Sequence, residues 1–133
     1  MRSLIAVLLL GVAASGCKPA PAAAPITDRE WSLVQLGDNS SPMGNGGKPV
    51  TMTLALAETR ASGNAGCNRY SGPYTLSGGS LTFGPAISTK MACAEGMDVE
   101  TAFLGMLPSV TGFQATDSSL TLLGPAGPLA RFR

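Results

Sequence analysis

Turn-forming residues divide this chain into short segments, and that division limits the folds that the chain can adopt. Seventeen glycines and ten prolines occur among its 133 residues. Glycine tolerates positive φ angles and proline fixes φ near about −65°, so both residues favour turns and end regular elements. The runs between them have the length of strands rather than of long helices. The sequence therefore predicts a fold of many short strands joined by tight turns.

Alternation of apolar with small or polar side chains marks the individual strands. The clearest run is residues 50–56, and we expect its apolar side chains to share one buried face: Val50, Met52, Leu54 and Leu56. Two glycines within residues 77–80 suit a tight hairpin turn. Further strands are predicted over residues 31–36, 60–64, 72–76, 81–83, 109–115, 119–123 and 129–133, with an extended segment over residues 85–91.

One segment, residues 97–107, lacks strand alternation and is predicted to be a helix that ends at Pro108. Asp98 and Glu100 lie in its first turn, where the helix dipole favours negative charge, and we expect both carboxylates to be solvated. About eight short strands and one helix predict a mainly β fold, either a small antiparallel β-barrel or a strongly curved sheet. The α-helix is expected to cover an open end or a gap, so that few strand edges stay exposed.

The first residues of the chain have the features of an export signal. Arg2 supplies a positive charge, and residues 4–13 form an apolar run. That run is shorter than the roughly 20 residues needed to span the hydrocarbon core of a membrane. Three small residues then lead to Cys17. We therefore predict that residues 1–16 are a signal peptide that is removed.

The small residues ahead of Cys17 resemble the lipobox of bacterial lipoproteins, although Ala14 stands where that motif usually has leucine. The resemblance implies a diacylglycerol on Cys17, which would anchor the protein to a membrane. Ordinary secretion with a free Cys17 is the alternative. Residues 17–25 would form the lipidated cysteine and a Pro/Ala linker, which favours extended polyproline II. Lys18 favours sorting to the outer membrane, so we expect a cell-envelope protein that faces the periplasm.

Cys67 and Cys93 are the two cysteines that remain if Cys17 carries lipid, and export places them in an oxidising compartment. We predict that they form a disulfide, which the chain-entropy model values at about 3–4 kcal/mol. Two buried free thiols are the alternative. The chain contains no histidine, and a zinc site needs four ligands. No metal and no cofactor are therefore expected.

The charges of the chain exclude other classes of function. Nine basic and eight acidic residues nearly cancel, and no basic stripe remains to follow a phosphate backbone, so we expect no nucleic-acid partner. The absence of histidine removes the commonest general base and the usual serine and cysteine nucleophile pairs. We therefore expect a protein that is not an enzyme.

Several motifs together resemble the META domain family, which includes the HslJ heat-shock proteins. They are the run Gly-Asn-Ala-Gly-Cys-Asn-Arg-Tyr-Ser-Gly-Pro-Tyr at residues 63–74, Ser-Thr-Lys-Met-Ala-Cys at residues 88–93, Glu100, Trp31 in the opening strand, and Leu-Thr-Leu at residues 120–122. The resemblance covers residues 26–133. It implies a compact barrel with a lipocalin-like outline and a helix packed on it. It also implies an envelope location and links to heat shock and antibiotic tolerance, but it names no reaction.

Asn68, Arg69 and Tyr70 are the candidate binding residues. Amide and guanidinium groups offer several hydrogen-bond donors, and tyrosine adds a flat amphipathic ring. The alternative is a structural role for all three. In that case Asn68 takes a tight turn, Arg69 pairs with Glu100 or another carboxylate, and Tyr70 packs in the core.

These observations lead to two functional hypotheses. The first is a non-enzymatic cell-envelope lipoprotein with a binding or envelope-stress and antibiotic-tolerance role, whose partner is an envelope protein or a small apolar ligand. The second is a protein-interaction or protease-inhibitor module in the periplasm that presents the long mobile loop of residues 38–48. An eight-stranded barrel holds one small ligand or is filled by its own side chains. A closed apolar cavity would favour a ligand, whereas a solid core with an exposed apolar patch would favour a protein partner.

Overall fold

The structure, a computed structural model, describes residue 16 and residues 25–133. Residues 1–15 of the predicted signal peptide, the predicted lipidation site Cys17 and residues 18–24 of the predicted linker lie outside the described residues. Within the described part, none of the helices is both long enough and apolar enough to cross a membrane.

Short strands dominate the described chain. In chain order the elements are β1 Glu30–Leu36, β2 Thr51–Ala55, β3 Arg60–Asn64, β4 Arg69–Ser77, β5 Ser80–Phe83, β6 Ile87–Ser88, α1 Met97–Met106, β7 Gly112–Ala115, β8 Leu120–Gly124 and β9 Gly127–Phe132. Two 3-10 turns, Asn45–Gly47 and Leu107–Ser109, complete the regular structure. The predicted helix therefore ends one residue early, and β4 begins three residues before its predicted start.

Eight of the strands close an antiparallel barrel. Neighbouring strands follow the order β3-β2-β1-β9-β8-β7-β5-β4, and pairing of β3 with β4 completes the ring. The short β6 pairs with the first part of β4. The predicted mainly β fold with one α-helix is confirmed in its barrel form, and closure leaves few free strand edges.

Two β-bulges bend the strands on one side of the barrel. The register between β1 and β9 shifts between Leu33 and Gln35, and the register between β8 and β9 shifts between Leu122 and Leu123. A bulge adds one residue to one strand and increases its local twist. Both bulges therefore change the direction of β9 relative to its neighbours.

The helix closes one end of the barrel through Phe103. The Phe103 ring is fully buried, and its centroid lies 5.3 Å from that of Tyr70 on β4 and 6.4 Å from that of Phe132 on β9. β4 and β9 lie on opposite sides of the ring of strands. A side chain that contacts both strands must project into the barrel, which agrees with the predicted covering of an open end.

Large side chains fill the barrel interior. Trp31, Met52, Leu81 and Leu122 are among the fully buried side chains, and the Trp31 indole donates to the carbonyl oxygen of Ile26 at 2.9 Å. Such filling matches the dense packing of ordinary protein cores. The interior of the described chain is therefore a packed core.

The alternation predicted for residues 50–56 holds for all but its last apolar member. Val50, Met52 and Leu54 are fully buried, whereas Leu56 is 57% exposed. The prediction for Leu56 was wrong because β2 ends at Ala55 and Leu56 begins a turn, in which the Thr59 N–H donates to its carbonyl oxygen. Side-chain alternation continues only as long as the backbone stays extended.

Candidate functional site

The Asn68 side chain lies at the centre of a buried polar cluster. Its Nδ2 donates to the Met91 carbonyl oxygen at 3.1 Å and to Glu100 Oε2 at 2.9 Å. Its Oδ1 accepts from Thr89 Oγ1 at 2.9 Å and from the Met91 N–H at 2.8 Å. A primary amide has two donor and two acceptor positions, and all four are used here. Asn68 therefore joins three separate segments of the chain; these four residues are called the Asn68 cluster below.

Glu100 is the charged member of this cluster, and it is 6% exposed. The backbone N–H groups of Asn68 and Cys67 donate to its Oε1 at 2.6 and 3.2 Å. Burial raises the pKa of this carboxyl, but hydrogen bonds from Asn68 and Cys67 and the charge of Lys90 outweigh that effect, so the pKa lies below its ordinary value. The expectation that Glu100 is solvated was wrong, because the first turn of α1 packs directly on residues 66–68.

The absence of side chains at Gly66 and Gly96 allows the first turn of α1 to approach residues 66–68 closely. Gly66 has φ +138°, and a Cβ there would lie 2.6 Å from the Gly96 carbonyl oxygen. Gly96 has φ +84°, and a Cβ there would lie 2.6 Å from the Asn45 nitrogen. The Asn45 N–H also donates to the Gly66 carbonyl oxygen at 2.8 Å. Larger residues at Gly66 or Gly96 would push apart the loop, the helix and the 3-10 turn.

A disulfide joins Cys67 to Cys93 across 26 positions of the chain, with 5.8 Å between the two Cα atoms. The predicted disulfide is confirmed. The Thr89 N–H also donates to the Arg69 carbonyl oxygen at 3.1 Å. Residues 87–93, called the pinned loop below, are thus held by β6 pairing, by the Asn68 cluster and by a covalent bond.

The pinned loop nevertheless presents large apolar side chains to solvent. Ile87 is 71% exposed and Met91 is 61% exposed. Ile87 borders a surface cleft of about 340 Å³ that is open to solvent and is called the Ile87 cleft below. Its lining residues are Ser62, Arg69, Tyr70, Ser71, Ile87, Ser88 and Thr89.

Cationic side chains surround this cleft. Arg69 lines it directly. Arg60 donates to the lining Ser71 hydroxyl at 2.8 and 3.1 Å, and Lys90 donates to the lining Ser88 hydroxyl at 3.3 Å. Cations beside an apolar surface attract negatively charged partners and set their orientation.

The three predicted binding residues occupy different environments. Asn68 and Tyr70 are buried, and Arg69 alone of the three is exposed. The Tyr70 hydroxyl donates to the Thr51 carbonyl oxygen at 2.8 Å, and burial raises the pKa of Tyr70. The alternative structural role paired Arg69 with Glu100 or another carboxylate. In the described chain the hydrogen bonds to the Glu100 oxygens come from Asn68 and Cys67 instead.

Sequence reasoning missed Ile87 and Met91 as surface residues. The strand that contains Ile87 is two residues long, so it is too short to show an alternating pattern. The available signal was the Pro85-Ala86 pair just before Ile87, which favours an exposed turn. Sequence reasoning also treated residues 38–48 as a mobile loop. That loop is tied back by Leu36–Asn39 pairing and by the bond from Asn45 to Gly66.

The region around the Ile87 cleft combines an exposed apolar surface with polar groups that are hydrogen-bonded within the chain. Among the residues that the structure describes, no group of three or more histidine, cysteine, aspartate or glutamate side chains could hold a metal ion. The buried carboxylate of Glu100 accepts three hydrogen bonds from Cys67 and Asn68, and Glu100 is not among the residues that line the Ile87 cleft. What the site offers is a fixed apolar surface with a cationic border.

Comparison with known proteins identifies similar chains. A family model described as META domain matches residues 24–133. A solved structure described as "NMR structure of the protein from Burkholderia xenovorans" is 31% identical with a TM-score of 0.64, and the match covers 86% of this chain and 93% of the other. A second NMR structure is 23% identical with a TM-score of 0.62, covering 80% and 90%, and supports the fold alone. No curated protein matches the chain.

Proposed function

This chain belongs to the META domain family, and from that premise we propose that it is a non-enzymatic lipoprotein of the cell envelope. In this proposal Cys17 carries the lipid anchor in the outer membrane, and the barrel faces the periplasm. The barrel binds a protein of the envelope through the Ile87 cleft and the pinned loop. A role in envelope stress or antibiotic tolerance is part of the same proposal and follows from the family resemblance.

One observation carries the binding proposal: large apolar side chains are exposed on a segment that is held in place. Leaving a side chain such as Ile87 in water forgoes about 1.5–3 kcal/mol of burial. A scattered exposed apolar residue is ordinary, but Ile87 and Met91 both lie on the pinned loop, and Ile87 borders a cleft. Because the loop is already ordered, a partner that covers it loses less conformational entropy on binding.

The positive charges beside the Ile87 cleft indicate which kind of protein surface would bind there. Arg60, Arg69 and Lys90 each line the cleft or donate to a residue that lines it. A complementary surface has a large apolar side chain flanked by aspartate or glutamate. The packed interior disfavours a small apolar ligand held within the barrel, so a protein partner is the better-supported form of the proposal.

Photo-crosslinking in the native envelope tests this proposal. A photoreactive amino acid replaces Ile87 in the full-length lipoprotein, and a second variant carries it at Ala126, an exposed turn residue between β8 and β9. We expect a discrete crosslinked band from position 87 that is absent from position 126. Arg69→Glu should weaken the band, because it places a negative charge against an acidic partner. Equal crosslinking at both positions, or none at position 87, would refute the assignment of the surface.

A separate measurement tests the anchor. Cells are labelled with a fatty-acid analogue, and the full-length protein is compared with its Cys17→Ala variant. The proposal expects label and membrane association for the first and neither for the second. Label on both proteins, or a wild-type protein free of lipid in the soluble fraction, would contradict the envelope assignment.

A further inference from the structure

Four outward-facing polar side chains form a row across neighbouring strands on the side of the barrel opposite β4. Cross-strand pairing matches Gln35 of β1 with Arg131 of β9, Arg131 with Thr121 of β8, and Thr121 with Gln114 of β7. Directly opposed residues have Cβ atoms about 4.5–5.5 Å apart, so adjacent members of the row are within reach of one ligand. These four residues are called the polar row below.

A cleft of about 390 Å³ lies over the polar row. Its lining includes all four members of the row together with Pro128 and Leu129. The β8–β9 bulge falls beside Leu129, and the β1–β9 bulge falls beside Gln35. Bulges re-aim side chains and are frequent next to binding sites. One bulge lies near the pairing of Arg131 with Gln35 on β1, and the other lies near the pairing of Arg131 with Thr121 on β8.

The row combines three kinds of recognition group. The Arg131 guanidinium is exposed and is suited to a two-point contact with a carboxylate. The Gln35 and Gln114 amides each offer a donor and an acceptor, which is the pattern that a peptide group needs. Pro128 and Leu129 supply apolar surface for small side chains. A second open cleft, which Arg131 and Arg133 both line, continues the basic surface toward Ser118 and Ser119.

We propose that the polar row binds a short extended peptide through its carboxylate. Arg131 and the neighbouring Gln35 amide hold the terminal carboxylate, and Thr121 and Gln114 hydrogen-bond the peptide groups that precede the carboxylate. Two interstrand spacings of about 4.8 Å separate Arg131 from Gln114, which is a distance of about 10 Å. An extended segment of three residues has about that length. Small side chains such as alanine suit the limited apolar surface of Pro128 and Leu129.

This inference is independent of the proposed function, since the two sites use different faces of the barrel. β9 and β4 are four strands apart around the ring in both directions. Arg69 belongs to the Ile87 cleft and Arg131 to the polar row. An experiment that refutes binding at the Ile87 cleft therefore does not refute binding at the polar row, and the reverse also holds.

The test is a titration of the full-length ¹⁵N-labelled protein in detergent, followed by NMR. The probes are N-acetyl-tetraalanine with a free carboxylate, the same peptide with its carboxylate amidated, and inorganic phosphate. We expect the free peptide to shift amides of β1, β7, β8 and β9, and the amidated peptide to bind about tenfold more weakly. Charge-assisted hydrogen bonds account for a difference of that size.

Substitutions test whether the residues of the polar row bind the peptide. Arg131→Gln should weaken the free peptide about tenfold while its thermal unfolding stays unchanged, and Gln114→Ala should weaken it severalfold. Arg69→Gln is the matched control and should bind like the wild type. Equal binding of the free and amidated peptides would overturn the proposal, as would a phosphate affinity equal to that of the peptide. Shifts confined to other strands, or no binding at about 10 mM peptide, would also overturn it.

Discussion

Replacing Asn68 by aspartate changes one NH₂ group to an oxygen and should destabilise the protein strongly at neutral pH. The lost donor now bonds the Met91 carbonyl oxygen at 3.1 Å and Glu100 Oε2 at 2.9 Å. Each buried acceptor that loses its donor costs about 1–3 kcal/mol. The new carboxylate also faces the carboxylate of Glu100, so one of the two must be protonated or repelled. We expect the free energy of unfolding to fall by about 3 kcal/mol or more.

Urea denaturation of the oxidised protein at pH 7 and pH 5 measures this effect. In the wild type the pKa of Glu100 is lowered from its ordinary value of 4.5. The contribution of Glu100 to the free energy of unfolding is therefore complete above that value, and it is lost as the pH falls through the folded-state pKa. In Asn68→Asp the two carboxyls share a proton at lower pH and form an O–H···O bond. The deficit of the variant relative to the wild type should therefore be smaller at pH 5 than at pH 7.

Asn39→Asp provides a matched control for this substitution. Asn39 is exposed, and its Oδ1 accepts from the Ser41 N–H at 3.0 Å, a bond that aspartate keeps. We expect the control to stay within about 0.5 kcal/mol of the wild type. The reasoning fails if Asn68→Asp is equally mild at pH 7, or if its deficit is the same at both pH values.

Three further predictions concern stability and are checked by chemical or thermal unfolding. Phe103→Ala should lower the free energy of unfolding by about 3–5 kcal/mol, because it removes a fully buried ring that contacts both Tyr70 and Phe132. A loss below about 1 kcal/mol would show that the helix does not close the barrel. Replacing both disulfide cysteines by serine should cost about 3.5 kcal/mol on the chain-entropy model for a 26-residue separation, and unchanged stability would contradict this. Thr59→Gly should stabilise the protein by up to about 1 kcal/mol, because Thr59 has φ +48°; a destabilised variant would show that the turn is unstrained.

Local patterns in the sequence predicted most of the barrel but not the Asn68 cluster. The alternation at Val50, Met52 and Leu54 reflects a period of two along one strand, which is visible without any partner. The bonds of Glu100 depend on a helix first turn meeting a loop more than thirty residues earlier. Nothing in the local pattern distinguishes such a carboxylate from a solvated one at a helix N-terminus, where charge is equally favourable.

The candidate binding surface was predictable only in part, for a similar reason. Arg69 was identified from its sequence neighbourhood, and the structure leaves it exposed beside a cleft. Its neighbours Asn68 and Tyr70 were identified on the same grounds, yet both are buried. Tyr70 faces the opposite side of β4 from Arg69, and Asn68 lies just before β4 begins. The exposure of Ile87 depends on where a two-residue strand meets β4, and short-range patterns do not contain that information.

Amide hydrogen exchange at Met91 tests most directly whether the pinned loop is a preformed surface. The Met91 side chain is 61% exposed, but its backbone N–H donates to Asn68 Oδ1 at 2.8 Å. A loop held by the Asn68 cluster predicts that this amide exchanges at least about a hundredfold more slowly than in an unstructured peptide. It also predicts that Asn68→Ala removes the protection. Exchange at the unstructured rate in the wild-type protein would contradict the account, because the apolar side chains would then lie on a segment that is not held in place.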